Sequence, residues 1–365
     1  MKVKKVYLEN FLNYEKEYVE FDDGLNVLVG HNAAGKTNLL ESIYYSSIGK
    51  SARQHRDKEL INWADKEKSA RIRIFAEKKY STHVVDVNID KFGKKRITID
   101  NIPIAKIGEL MGVINVVYFS PSEMSLIKDS PDYRRRFMDI SLCQQDKIYF
   151  YSMVKYNKLL AQRNKLLKDY SLSPSLKDMS TLVTNQMSEV QEYIIKKRKA
   201  FIEGIEPSVK TIHTGITDGK EDISILYETE EIDFDDIKGS LIKVYEKSYE
   251  KDVRLGYTTS GAHRDDIKIT ISGIDVRKYG SQGQQRTAVL SLKLAEVRRF
   301  FDVTGEYPIL LLDDVLSELD LGRQKALLEV IDGVQTFVTC TEFDENIKGK
   351  KSVYQVNNGT VKRYD

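Results

Sequence analysis

A glycine-rich loop near the amino terminus constrains the fold of this chain more than any other feature. The apolar run Val27-Leu28-Val29 leads directly into GHNAAGKT and then into a stretch of good helix formers. This is the GxxxxGKT pattern in its required order of strand, loop and helix, in which backbone N–H groups wrap the phosphates of a nucleotide. Lys36 is expected to reach the β- and γ-phosphate oxygens and Thr37 to hold Mg²⁺. The predicted nucleotide-binding residues are Gly30, His31, Asn32, Ala33, Ala34, Gly35, Lys36, Thr37 and Asn38.

A second apolar run, Ile309 to Leu312, ends in the carboxylates Asp313 and Asp314. A buried parallel strand with an Asp at its carboxyl end is where an open α/β sheet places functional groups. Asp313 is expected in the Mg²⁺ shell, and Asp314 is expected to orient and deprotonate the attacking water. The alternative is a strand that ends in a solvated acidic turn. Because Asp313 comes 277 residues after Lys36, the intervening chain must be inserted into one nucleotide-binding fold.

Between these motifs lies YGSQGQQR, followed by a helical pattern. Ser281, Gly283 and Gln284 at the start of a helix can form an anion site, because backbone N–H groups and the helix dipole point there. An ordinary N-capping turn is the simpler explanation of these residues taken alone. The interpretation as an anion site is supported mainly by the place of these residues between the glycine-rich loop and the two carboxylates.

The rest of the chain predicts an α/β fold whose core is split by a helical insertion. Residues 3–29 and 70–100 have the alternation and turns of strands, and those of 70–100 favour an antiparallel sheet. The segment from Tyr133 to Gly204 is helical in period, and one face of it indicates a packed helix pair more than a coiled-coil arm. That face consists of Leu176, Met179, Val183, Met187, Val190 and Ile194. An acidic loop, Glu228 to Asp236, follows before strands return.

Composition excludes several classes of protein. The 365 residues are 41% hydrophobic and predict about two domains with a buried core. Cys143 and Cys340 are far apart and form no CxxC pair, which argues against a disulfide framework or a zinc ribbon. No apolar run approaches the ~20 residues of a membrane span, and the amino terminus lacks a secretory signal. We therefore expect a cytoplasmic protein with no membrane partner.

The net charge of the chain does not indicate a polyanionic partner, so a surface for one would have to come from local clusters of basic residues. Lys and Arg number 57 and Asp and Glu 55, so the net charge is only +2. Basic residues cluster at Arg134–Arg136, at Lys196–Lys199, and at Lys50, Arg53, His55 and Arg56. Each cluster could contact phosphates or form an ordinary solvated face, and the first could equally be structural.

The order of motifs, completed by Ser317-Glu318-Leu319-Asp320, resembles the ATP-binding-cassette (ABC) arrangement and, within it, the RecF family of DNA repair ATPases. Four further blocks carry the resemblance, namely Asn10–Tyr14, Tyr118–Pro121, Asp132–Asp139 and Gly261–Asp266. It implies an ABC-type ATPase head, with a mixed sheet carrying the P-loop, an antiparallel β subdomain and an inserted helical subdomain. The implied domains are 1–120 (first half of the ATPase domain), 121–250 (helical insertion) and 251–365 (second half).

The resemblance also implies roles. Lys36 and Thr37 would bind ATP and Mg²⁺, Asp313 would serve the metal, Asp314 would be the catalytic carboxylate, and Asp320 would lie in the D-loop. Ser281, Gly283 and Gln284 would complete the nucleotide site of a partner subunit, so hydrolysis would require a head-to-tail homodimer. The implied activity is a slow, DNA-dependent ATPase that clamps double-stranded DNA near single-strand gaps. RecR, with RecO and RecA indirectly, would be partners in DNA repair, replication, recombination and the SOS response, at the nucleoid.

Some positions depart from this pattern. Leu12 stands where the family more often has an Arg, and the stretch from Ser120 to Glu123 offers no Q-loop glutamine. Transporter cassettes carry Glu at the position of Asp314 and a histidine where this chain has Thr339 or Thr341; the RecF family shares both differences. The alternatives are the motor subunit of an ABC transporter and a short SMC-type chromosome ATPase. Co-purification with a membrane protein would favour the first, and a long heptad arm, which is absent from the sequence, would favour the second.

Overall fold

The computed structural model describes residues 1–65, 68–169, 176–316, 319, 321–341 and 351–364. The chain forms two compact units. The first contains Met1–Glu123, Gly215–Asp218 and the chain from Leu290 onward; the second contains Met124–Thr214 and Gly219–Val289. The second unit thus extends beyond residue 250, where our predicted helical insertion ends. The assignment of ATPase halves and insertion stays a prediction.

The strands are β1 (Lys2–Phe11), β2 (Tyr14–Glu20), β3 (Leu25–Val29), β4 (Ala70–Glu77), β5 (Thr82–Ile89), β6 (Lys95–Ile99), β7 (Ile102–Pro103), β8 (Val116–Phe119), β9 (Ile223–Glu228), β10 (Asp266–Ile271), β11 (Ile274–Asp275), β12 (Ile309–Asp313), β13 (Thr336–Cys340), β14 (Lys351–Asn357) and β15 (Thr360–Tyr364). The helices are α1 (Lys36–Ile48), α2 (Ser125–Lys128), α3 (Pro131–Gln145), α4 (Lys147–Asp169), α5 (Leu176–Ile216), α6 (Ile237–Leu255), α7 (Val276–Tyr279), α8 (Gln282–Thr304) and α9 (Leu321–Val330). The predicted mixed α/β architecture is confirmed.

Two six-stranded sheets form the first unit. One is antiparallel, in the order β2-β1-β4-β5-β6-β7, and it contains the sheet predicted over residues 70–100. The other has the order β15-β14-β3-β13-β12-β8, and all its pairs are parallel except β14 with β15. Every residue of β12 is buried, as expected for a central parallel strand covered on both faces.

Helix α1 lies between the two sheets and contacts β4 and β5 of one and β8, β12 and β13 of the other. Ten of its 13 residues are buried, so it has no solvated face. Its residues Leu39, Leu40, Ile43 and Tyr45 join the hydrophobic core of the unit. The core therefore fixes the helix whose first turn carries Lys36 and Thr37.

The second unit is mainly helical and also carries the antiparallel sheet β11-β10-β9. The predicted apolar face of α5 is confirmed from Val183 to Ile194, where Met187 and Ile194 are fully buried. Met179 is 53% exposed, so the prediction was wrong at the start of that face. The burial continues to Ile212, because α5 is 41 residues long. None of the described helices combines the length and apolarity needed to cross a bilayer.

The clusters Arg134–Arg136 and Lys196–Lys199 each contribute one arginine to a buried polar network in the second unit. Arg134 is 3% exposed and donates to Asp266 from Nε (2.5 Å) and Nη2 (3.0 Å). Arg198, which is 1% exposed, donates to Asp139 and, at 2.9 Å, to Asp265. A buried arginine that is paired with carboxylates from another element holds the two elements together and leaves no charge for a partner. Arg134 and Arg198 are therefore structural, although the sequence placed both in candidate phosphate-binding clusters.

His263 in the same network predicts a measurable loss of stability in acid. Its Nε2 lies 3.0 Å from the carbonyl of Thr258, which can only accept, so Nδ1 accepts from the Tyr156 hydroxyl at 2.7 Å. Burial of this neutral imidazole lowers the pKa of His263 to about 4. Below pH 6.5 the imidazole of His263 is therefore protonated in the unfolded chain but stays neutral in the folded chain. Because this favours unfolding, the free energy of unfolding falls by about 2 kcal/mol by pH 4.5.

This effect is measured by denaturant unfolding of the wild type and His263→Gln between pH 7 and pH 4.5. Glutamine keeps one donor and one acceptor but does not titrate in this range. Acidic groups elsewhere affect both proteins equally, so the difference between the two curves isolates His263. We expect the wild type to lose more stability than the variant as the pH falls. If stability falls equally with pH in the two proteins, His263 does not have the lowered pKa assigned to it.

Candidate functional site

The loop between β3 and α1 has the backbone that its glycines permit. A Cβ at Gly30 would lie 2.2 Å from the carbonyl oxygen of Val356, so only glycine allows β14 to approach this closely. Gly35 has φ 118°, a region that L side chains rarely adopt, and it directly precedes α1. Ala33 also has a positive φ of 65°, which is an uncommon conformation for alanine. The loop thus curls back on itself at the amino end of α1.

Side chains from the β1–β2 hairpin hold this loop in place. The Asn13 amide donates to the carbonyl of Ala34 at 3.0 Å and accepts from the side chain of Asn38 at 2.7 Å. The Tyr14 hydroxyl is fully buried and donates to the carbonyl of Gly35 at 2.9 Å. In the sequence Asn13 and Tyr14 were part of a family block without an assigned role. No spacing in the sequence connects that hairpin to the loop, because the contact is tertiary.

Lys36 is enclosed by its own loop. Its Nζ donates to the carbonyl of Gly30 at 2.6 Å and to that of His31 at 2.9 Å. Burial lowers the pKa of Lys36, and the nearby carboxylates of Asp314 and Asp313 oppose that shift. The ammonium group is thus held at the loop by carbonyl groups, which an anionic oxygen can replace as a stronger partner.

Three hydroxyl groups from three different elements converge on Asp313. Thr37 in α1 and Thr339 in β13 donate to its Oδ1 at 2.8 and 2.9 Å. Tyr118 in β8 donates to Oδ2 at 2.9 Å, and burial raises the pKa of Tyr118, so the phenol keeps its proton. The parallel register explains the convergence, because β12 lies between β8 and β13. In the sequence Tyr118 was part of a family block and Thr339 one of two candidates for the position of the transporter histidine; their contacts with Asp313 make both of them site residues.

The oxygens of Thr37 and Asp313 fit a Mg²⁺ site. An octahedral Mg²⁺ with oxygen ligands at about 2.0–2.1 Å holds neighbouring ligands about 2.9 Å apart, and Thr37 Oγ1 and Asp313 Oδ1 are 2.8 Å apart. The described residues hold no cluster of three or more His, Cys, Asp or Glu side chains suited to a metal. Mg²⁺ here would therefore take further ligands from phosphate and water, as is usual for this ion.

Asp314 comes immediately after β12 and is exposed at the rim of the site. Its backbone N–H donates to the hydroxyl of Thr339 at 2.8 Å. Its φ is 54°, a left-handed conformation that costs energy for residues other than glycine and is tolerated best by Asp and Asn. Strained residues of this kind cluster at functional sites because the surrounding structure holds them there. The turn separates the two carboxylates, so Asp313 is buried and Asp314 faces the solvent.

A cleft of about 210 Å³ collects these groups in one place. Lys36, Thr37, Asp314, Thr339 and Thr341 line it, together with Asn32, Ala33, Gly35, Asn38 and Arg53. Arg53 donates to the side chain of Asn38 at 2.7 Å. Arg53 belongs to one of the basic clusters named above as candidate phosphate contacts, and in the structure it lines the cleft. Arg53 thus brings a positive charge to the cleft, which Leu12 cannot do at the position where the family more often has an Arg.

A second, larger cleft of about 560 Å³ lies beside the first and shares Asn38 with it. Leu12, Asn13 and Trp63 also line this cleft, and Trp63, the only tryptophan of the chain, is 73% exposed. Leu12, Trp63 and Ala64 provide apolar and aromatic surface in an otherwise mostly polar lining, and an aromatic ring next to a phosphate-type cleft suits the base of a nucleotide.

Ser281 and Gln284 form a reciprocal cap at the start of α8. The N–H of Gln284 donates to Ser281 Oγ at 3.2 Å, and the N–H of Ser281 donates to Gln284 Oε1 at 2.9 Å. This is the capping box that the simpler interpretation anticipated. Ser281 remains exposed at the amino end of a 23-residue helix. Together with Gly283 it lies in the second unit, whereas the cleft belongs to the first. Asp320 lies outside the described residues, and its place in the D-loop stays a prediction.

Comparisons with known proteins agree with this geometry. The family model described as RecF/RecN/SMC N terminal domain matches residues 2–362. The DNA replication and repair protein RecF of Clostridium botulinum is 47% identical over 367 residues, covering all of both chains, and that of Clostridium kluyveri is 45% identical over 366 residues with the same coverage.

Solved structures are also similar. The recombination mediator protein RecF-ATP of the RecFOR pathway is 33% identical, with a TM-score of 0.91, and the match covers 100% of this chain and 97% of that one. An SMC head bound to the C-winged helix domain of ScpA matches with a TM-score of 0.59 at 16% identity, a likeness of fold alone. By full-length identity and by fold, this chain belongs to the RecF family.

Proposed function

We propose that this protein binds and slowly hydrolyses ATP with Mg²⁺, and that ATP controls its dimerisation on DNA during replication and repair. The arrangement around Asp313 carries the proposal. Its carboxylate lies 2.8 Å from the Thr37 hydroxyl, at a cleft that also contains Lys36 and Asp314. The match to a RecF structure with ATP supports the choice of nucleotide.

Each residue of the cleft has a distinct role in this proposal. The N–H groups of the loop and Lys36 bind the phosphates, and Arg53 adds a second positive charge. Thr37 and Asp313 hold Mg²⁺, which neutralises charge on the β- and γ-phosphate oxygens when bound. Tyr118 and Thr339 keep the Asp313 carboxylate in one orientation by donating to it. Asp314 accepts a proton from the attacking water.

The proposed dimer follows from the exposed cap at Ser281. A capped helix terminus with an exposed hydroxyl and backbone N–H groups suits an anion, so Ser281, Gly283 and Gln284 would contact the γ-phosphate bound by the P-loop of a second copy. A head-to-tail pair of this kind has two equivalent sites and closes on itself. Loss of the γ-phosphate removes the bridging contact, so hydrolysis would open the dimer.

The biological context comes from the relatives. Proteins 47% identical over the full length are DNA replication and repair proteins named RecF, and a similar structure is a recombination mediator of the RecFOR pathway. We infer that this chain clamps duplex DNA near single-strand gaps, in the cytoplasm, and assists RecO and RecR in loading RecA.

Measuring the size of the protein in solution tests this proposal. We expect a monomer without nucleotide and a dimer with Mg²⁺ and ATP, because the γ-phosphate joins two surfaces that do not otherwise bind. The dimer should hold gapped duplex DNA at 50 mM salt and release most of it at 300 mM, since phosphate contacts are salt-dependent. Ser281→Arg provides the matched variant, because it should bind ATP normally and stay monomeric. A monomer indifferent to ATP and DNA would contradict the proposal.

A further inference from the structure

An exposed basic surface lies at the far end of α1 from the P-loop. Residues 50–60 and 90–95 together contain seven Lys or Arg and only three Asp or Glu. The whole chain has a net charge of only +2, so the rest of the molecule is net negative. The positive charge is therefore concentrated in these two segments, which are well separated in the sequence.

The fold brings the two segments together. A Cβ at Gly93, in the turn between β5 and β6, would lie 3.1 Å from the Cβ and backbone N of Lys58. From the same turn Lys95 donates to the carbonyl of Gly49 at 2.6 Å and lies 3.0 Å from Asp57. The turn is thus attached both to the end of α1 and to the segment after it.

The three carboxylates of this region are used to build it. Asp57 accepts from Tyr45 at 2.8 Å and pairs with Lys95. Glu59 accepts from the N–H of Arg56 at 2.9 Å. Asp90 accepts from the N–H groups of Phe92 and Lys94 at 2.9 and 2.8 Å, which closes the turn. The acidic groups therefore stabilise the backbone, and the turn is ordered before any partner arrives.

The remaining cations point outward. We call Lys50, Arg56, Lys58, Lys91 and Lys94 the hairpin patch; all five are exposed. Lys50, Arg56, Lys58 and Lys94 form no ion pair with any carboxylate in the described part of the chain. Phe92 is 79% exposed at the tip of the turn, between two of these lysines. An exposed aromatic ring beside exposed lysines on an ordered turn is typical of a surface for nucleic acid.

The basic cluster on α5, Lys196–Lys199, does not offer this. Lys196 and Lys199 pair with Glu192 and Glu203 one helical turn away, at 2.7 and 2.6 Å. Lys197 pairs with Asp146, and Arg198 is buried. Their charges are already compensated, so few counterions would be released on binding a phosphate.

We propose that the hairpin patch binds the phosphate backbone of DNA. This inference rests on the proposed function, and it names the surface through which that function reaches its partner. None of the five residues of the patch lines the nucleotide cleft, although Arg56 lies three residues after Arg53, which does. DNA bound there leaves the cleft open to ATP, and binding at the patch can be removed without touching the ATP site.

The test compares two charge-neutralised proteins in the full chain. The patch variant is Lys50→Gln, Lys58→Gln and Lys94→Gln, and the control variant is Lys196→Gln and Lys199→Gln. The probe is a 30-base-pair duplex carrying a 10-nucleotide gap, titrated from 50 to 300 mM salt with and without ATP. ATP binding and ATP-dependent dimer size are measured for each protein.

For the patch variant we expect DNA affinity at 100 mM salt to fall by about 10-fold or more. Because each phosphate contact contributes about 0.9 to the slope of log affinity against log salt, that slope should fall by up to about 3. ATP binding and dimerisation should not change. The control variant should bind DNA within about 2-fold of the wild type, since its lysines are paired with glutamates.

The outcomes separate this inference from the proposed function. A patch variant that binds DNA as the wild type does, with an unchanged salt slope, would refute the hairpin patch while the proposed function stands. A wild type that forms the ATP-dependent dimer but binds no duplex, or that binds anionic lipid vesicles in its place, would overturn the patch together with the DNA part of the proposal. Equal losses in both variants would also refute the patch, because they would indicate a response to total charge.

Discussion

Lys36→Ala should abolish ATP-dependent dimerisation. Lys36 Nζ is held by the carbonyls of Gly30 and His31, and in the proposed mechanism it exchanges them for phosphate oxygens. Removing one partner of a buried, hydrogen-bonded charge pair costs about 2–5 kcal/mol, which lowers affinity for ATP by about 30- to 4000-fold. At millimolar ATP the closed dimer should then be lost, because its bridging ligand is no longer retained.

Calorimetric titration with ATP and sizing in solution check this expectation. Lys36→Arg keeps the positive charge but not the compact ammonium group that fits between two carbonyls, so it separates charge from geometry. Lys247→Ala, at an exposed position of α6, is the matched control and should behave as the wild type. A thermal unfolding curve close to that of the wild type would show that the loop mutation left the fold intact. Full dimerisation of a folded Lys36→Ala protein with ATP would remove Lys36 from the mechanism.

Asp314→Asn should bind ATP and dimerise but hydrolyse ATP about 100- to 10,000-fold more slowly, the range attributed to a general base. The amide cannot take a proton from water, whereas the neighbouring Asp313 still accepts from Thr37, Thr339 and Tyr118. Asparagine is the substitution of choice because residue 314 has φ 54°, a conformation that Asn adopts almost as readily as Asp and that alanine adopts at a cost. The ATP-bound dimer should consequently live longer.

Phosphate release and the lifetime of the dimer after dilution measure these two effects. Asp302→Asn, at an exposed position of α8 in the same unit, removes one carboxylate that does not line the cleft and should leave turnover unchanged. If Asp314→Asn hydrolyses ATP at the rate of the wild type, the water must be activated by another group. A variant that fails to bind ATP would point instead to a structural role for the strained turn.

The basic clusters show that the sequence alone does not reveal which cations are available to bind phosphate. Three clusters looked alike in the sequence, yet they differ in the structure. Arg134 is buried against the carboxylate of Asp266, and Arg198 is buried between those of Asp139 and Asp265. Lys196 and Lys199 are paired along α5, and Arg53 faces the nucleotide cleft. Whether an arginine is a structural cation or a surface cation depends on which carboxylates the fold places beside it. These carboxylates can lie more than 100 residues away, as Asp266 does from Arg134.

The sequence alone determined the local chemistry: the loop that curls before α1, the buried strand that ends in two carboxylates, the capped start of α8 and the antiparallel alternation of residues 70–100. Each depends on neighbours within one element, where spacing and residue type suffice. Only the tertiary structure decided that Tyr118 and Thr339 orient Asp313, that Asn13 and Tyr14 hold the loop, and that Lys58 meets the β5–β6 turn. Those contacts join residues distant in the chain through strand order and sheet packing, and no periodicity within a segment encodes them.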